Sequence, residues 1–237
     1  MKRISLKSML VLALGGMMIA SQTPAQAQFG GLLGGGSKNS ADSSGVTIDK
    51  DAFGKSVDDV GGKVLAARIT FLDSKAKLME ALGLKSDAVA KASEALRAAE
   101  GSTSDKIAVA DKQTTVSEDA DKQIGDSMAE SKELSAESKV KFAEGGGKFI
   151  EGVLLEKEQI ETIQKLVQQG QSMVQSASIL QKAGVLKIVK PVTTMSTMVP
   201  GDVKEGSSTL SKILKFAKSQ NVEIPGADKA TASLGNL

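Results

Sequence analysis

Residues 160–177 read IETIQKLVQQGQSMVQSA. Ile160, Ile163, Val167, Gly170, Val174 and Ala177 recur at steps of 3, 4, 3, 4 and 3. That rhythm sets all six along one line of a helix, and Leu166, Met173 and Leu180 form a second line spaced by seven. Two adjacent lines of this kind, with Gln, Glu and Ser on the remaining face, describe a helix built to lie against another helix. The spacing predicts antiparallel packing with coiled-coil-like crossing. Gly184 closes the helix in this reading, as the residue just past its C-terminus.

Upstream, Leu65, Ile69, Leu72, Ala76, Met79 and Leu82 are spaced by 4, 3, 4, 3 and 3, and Val57, Val60 and Val64 widen the stripe. This predicts an amphipathic helix of about nine turns, capped by Thr47 or Asp49 and ending near Gly83. Ser86 and Asp87 open an alanine-rich helix through Ala99, and residues 101–105 (GSTSD) interrupt the pattern. Residues 105–144 carry ten acids and six Lys with few apolar side chains. They predict one long helix with a narrow buried stripe and a broad solvated face, which Gly145-Gly146-Gly147 interrupts or kinks.

Residues 186–200 (LKIVKPVTTMSTMVP) are rich in β-branched side chains and bracketed by Pro191 and Pro200. They predict extended chain strapped across the helices. The sharper alternative is an exposed, methionine-bearing loop for a partner or membrane, with Ile188, Val189, Val192, Met195, Met198 and Val199 as its candidate interaction residues. A last helix occupies about 207–219, and the tail frays.

At the other end, Lys2, Arg3 and Lys7 precede an apolar run, residues 9–20, that is too short to span a bilayer. Pro24 and Ala25-Gln26-Ala27 follow, completing the pattern of a secretory signal peptide cleaved near Ala27. Removing those 27 residues from 237 leaves 210, of which Leu, Ile, Val and Phe make up about a quarter, sufficient for a core. The domain reading is therefore a signal peptide at 1–27 and a flexible Gly/Ser-rich linker at 28–46. A long-helix bundle at 47–184, an extended strap at 185–206, and a C-terminal helix with frayed tail at 207–237 complete it. The fold class is all-α, an elongated antiparallel bundle of long amphipathic helices.

Composition excludes much chemistry. There is no Cys, His, Trp or Tyr, and the aromatics are six Phe. Disulfides, thiol nucleophiles, histidine acid–base catalysis and Cys/His metal sites are absent, and stacking platforms for single-stranded nucleic acid are nearly so. Ser74 and Lys77 have S-x-x-K spacing but lack the companion S-D-N and K-T-G motifs, so a solvated helix face explains them. Asp119, Asp121, Gln123 and Glu130 imitate a calcium loop, yet Ile124 stands where the turn needs Gly. Phosphate-binding glycine motifs are also missing. These observations lead to no catalytic, cofactor or metal residues and no nucleic-acid partner.

Without the signal segment the chain holds 27 bases against 28 acids, acidic over 105–144 and basic after Gly184. The functional expectation is an exported, non-catalytic structural or protein-interaction module, periplasmic or extracellular, with a protein partner or self-association. It has no transmembrane helix in the mature chain, and peripheral membrane contact stays open. The alternative is a periplasmic holdase that shields apolar clients between its helices.

Overall fold

The computed structural model describes residues 49–130 and 133–235; the expected signal peptide, linker and Thr47 cap lie outside them. Among the described residues helix is the sole regular secondary structure, without strands, and there are seven helices. These are α1 (Lys50–Ala81), α2 (Asp87–Arg97), α3 (Thr103–Lys112), α4 (Thr114–Glu130), α5 (Ala136–Ser176), α6 (Ile179–Ser219) and the short α7 (Ala227–Leu234). The first six pack against each other.

Local chemistry sets the ends. Asp49 caps α1, its Oδ1 accepting from the Asp51 and Ala52 amides at 2.8 and 3.3 Å. Gly83, at φ +72°, turns the chain out of it. Ser102 and Asp105 form a reciprocal capping box at the start of α3. Ser135 caps α5 by accepting from the Ser138 amide at 3.1 Å.

The register of the three long helices is read from their glycines. Gly145, Gly152 and Gly170 of α5 face Leu78, Phe71 and Phe53 of α1. Steps of 7 and 18 residues forward on α5 match steps of 7 and 18 backward on α1. Likewise Gly146, Val153 and Gly170 of α5 meet Ile213, Gly206 and Val189 of α6, again in equal and opposite steps. Both pairs are antiparallel and hold one register throughout. A Cβ on Gly152 would lie 2.5 Å from the Phe71 ring, and one on Gly206 2.6 Å from it, so these glycines are what allow the close approach.

Five expectations are corrected. Residues 105–144 are not one helix: α3 ends at Lys112, α4 begins at Thr114, and α5 starts afresh after Ser135. Thr114 is anchored at the first break, its hydroxyl accepting from Arg68 Nη2 at 2.6 Å. The Gly145–Gly147 run does not interrupt α5. The helix passes through them, and a Cβ on Gly145 or Gly146 would crowd Leu78 or Ile224, so close packing rather than a break accounts for glycine there. Gly184 is no helix stop but sits within α6, while α5 ends at Ser176. The extended strap at 185–206 is helix as well, continuous with the expected last helix at 207–219. Each proline removes one backbone donor. Burial outweighs that loss, since Val185, Val192, Met195, Val199, Asp202, Gly206, Leu210 and Ile213 keep a helical rhythm through both prolines and face inward. The tail is helical to Leu234.

Candidate functional site

Two features depart from an ordinary apolar interior: charged side chains that cross it, and large apolar side chains left outside it.

On α1, Arg68 and Lys75 are seven residues apart and continue the inward stripe of Val64, Phe71 and Leu78. They are only 2% and 1% exposed. Arg68 Nη1 donates to Asp202 Oδ2 of α6 at 2.7 Å. Lys75 Nζ donates to Asp121 Oδ2 at 2.7 Å, to the Ser117 hydroxyl at 2.5 Å and to the Ser117 carbonyl at 3.1 Å, all on α4. The same ammonium lies 4.6 Å from the centre of the Phe71 ring, which packs on Phe149 at 4.6 Å. These bonds tie α1 to α4 and α6 at defined points along its length.

A third acid shares this interior without a partner. Glu156 of α5 is fully buried, and neither carboxyl oxygen has a hydrogen bond. Burial, and then the neighbouring charge of Asp202, push its carboxyl well above the ordinary glutamate range. Burial also raises Asp202, to about 6, against the pull of Arg68 and Lys75. Asp121 is raised by burial, with Lys75 opposing. Two cations therefore face three acids, and burial disfavours the charged form of each acid, with no hydrogen bond at Glu156 to offset it. Surface grooves of about 540 and 610 Å³ beside α7 include none of these five residues.

The residues singled out in the sequence fall differently. Ser74 is buried rather than solvated and donates to the Phe71 carbonyl at 2.6 Å, while Lys77 pairs with Glu144 at 2.7 Å. Their S-x-x-K spacing is not used as a pair. Asp119, Gln123 and Glu130 are exposed on α4, and Asp121 turns away from them toward Lys75. Among the described residues no group of three or more acids is placed to hold a metal ion. Of the candidate interaction residues, Val192, Met195, Met198 and Val199 are buried in the core, and Ile188 and Val189 are half-buried against it. They are not an exposed loop.

The exposed large apolar residues lie elsewhere: Val140 stands near the start of α5, and three others gather where α5 passes into α6. Ile179 and Leu180, at the turn between α5 and α6, are 87% and 95% exposed, and Leu186 is 52% exposed. Leu180 is the residue that the heptad line through Leu166 and Met173 had assigned to a seam. Together these features define an all-helical protein with an ionic layer inside and an apolar turn outside. Comparison with protein-family models, curated proteins and solved structures returns no match.

Proposed function

We propose that the chain is an exported, non-catalytic structural and interaction module of the cell envelope or exterior. In this reading α1, α5 and α6 form an antiparallel bundle with coiled-coil-like packing, which carries the α5–α6 turn as its docking end. The exposure of Ile179 and Leu180 supports it, because adjacent large aliphatics on a surface are the usual mark of an interaction site. The buried ionic layer then serves alignment: its two cations are committed to partners on neighbouring helices. The holdase alternative needs a cleft for clients between helices, whereas the inward faces of α1, α5 and α6 are filled by each other.

The test is fractionation of the source cells expressing the full chain or the I179S/L180S variant. The wild type is expected with the envelope, and the variant is expected in the soluble fraction with unchanged circular dichroism. Identical distributions would overturn the docking reading.

A further inference from the structure

Phe53 packs against Gly170, and α1 begins only three residues before Phe53, so its register with α5 runs out near Met173. The last turn of α5 and the first turns of α6 continue past that point. Here Ile179, Leu180 and Leu186 stand exposed. The charge on this stretch of chain itself is one-sided, although Asp105 of α3 acts on Lys190 farther along α6. From Thr162 to Gly201 the chain has no Asp or Glu and four lysines, Lys165, Lys182, Lys187 and Lys190. Lys182 and Lys187 are exposed within two turns of the apolar apex.

We infer that this end of the hairpin inserts into the interface of an anionic lipid bilayer. Ile179 and Leu180 enter the headgroup–acyl boundary while Lys182 and Lys187 reach the phosphates. The inference rests on the docking reading above and names its partner. Aliphatic side chains flanked by lysine suit this role, because the lysine stems lie along the apolar boundary as their ammonium groups stay with the headgroups. Protein interfaces, by contrast, are depleted in lysine at their centres. Symmetric pairing with a second copy through the apex would bring Lys182 and Lys187 of both copies together, which like charge opposes. Among the described residues no helix is long and apolar enough to cross a membrane, so the contact is peripheral.

The experiment is flotation of the full mature chain with vesicles of phosphatidylcholine alone or with roughly one third phosphatidylglycerol. Binding is expected to the anionic vesicles only and should weaken as salt is raised. I179S/L180S should abolish it without changing helix content. K182Q/K187Q should reduce partitioning roughly 25-fold, about fivefold for each charge removed. Absence of binding to anionic vesicles, or binding indifferent to both variants, would overturn the inference. Concentration-dependent self-association reversed by I179S/L180S, without vesicle binding, would replace the bilayer by a second copy and leave the docking reading standing. Envelope association that survives I179S/L180S removes the docking reading itself.

Discussion

Arg68 and Asp202, 134 residues apart in the chain, close a 2.7 Å ion pair between α1 and α6 in the protein interior, with side chains 2% and 9% exposed. Removing one partner strands the other charge away from water. Asp202→Ala should therefore cost about 3–5 kcal/mol. The double variant R68M/D202L replaces both by apolar side chains and should recover most of that loss. Urea unfolding of Arg68→Met, Asp202→Leu and the double variant checks this as a cycle. A double variant no more stable than Asp202→Ala would contradict it.

The three buried acids set the direction of the pH response. Glu156, Asp202 and Asp121 all have raised folded-state pKa values, so at these three sites the folded chain holds more protons than the unfolded one above about pH 4. Their contribution is complete below the ordinary carboxylate range and declines as pH rises. For Asp202 it is lost between about 4 and 6, on the order of 2–3 kcal/mol. Exposed Asp105 and Glu144 are lowered, chiefly by hydrogen bonds to Ser102 and Lys77, and act in the opposite sense on the acid side. Thermal melts from pH 3 to 9 should show greatest stability on the acid side of neutrality. Glu156→Gln should flatten the decline above it.

Two kinds of glycine should respond with opposite sign. A methyl at Gly152 meets the ring and backbone of Phe71, at 2.5 and 3.3 Å, so Gly152→Ala should destabilise by about 1–3 kcal/mol. Gly184 and Gly201 lie within α6 with open space around them. Alanine at either should stabilise by about 0.5–1 kcal/mol. Melting temperatures of the three single variants decide it.

Pro200 is exposed within α6. Pro200→Ala restores a helix donor and should raise stability by up to about 3 kcal/mol. An extended segment would gain nothing, so the same melt separates helix from strap.

What could be read in advance follows from how long each periodic signal is. The existence of α1 and its Asp49 cap, and the distal half of α5, were legible because apolar spacing and caps agreed. The path through residues 185–206 was missed because prolines and β-branched residues argued locally against helix. Val185, Val192, Val199, Gly206 and Ile213, each seven apart, carried the opposite signal over a longer span. The ionic layer was overlooked for a related reason. Phe142, Phe149, Glu156, Ile163 and Gly170 form an unbroken line of sevens, and the acid in it marked a buried charge. Arg68 offered a compositional hint, as one of two arginines beyond the signal segment. Its pairing with Asp202 depends on which helices meet and in what register, which no single helix encodes. The exposure of Leu180 depends in turn on where α1 begins.

The matched steps of α5 against both α1 and α6 bear on insertions and deletions. A residue added within α5 rotates everything beyond it by about 100° and shifts it by 1.5 Å. Glycines then no longer meet Phe71, and Glu156 swings toward solvent or into a wall. Even a whole added turn pair, which restores the rotation, moves half the helix past its two neighbours and out of step with the Arg68–Asp202 link. Length changes are thus confined to connections such as residues 83–86 and 98–101 and to the free end of the hairpin, so related chains should differ in length there and keep the long helices at constant size.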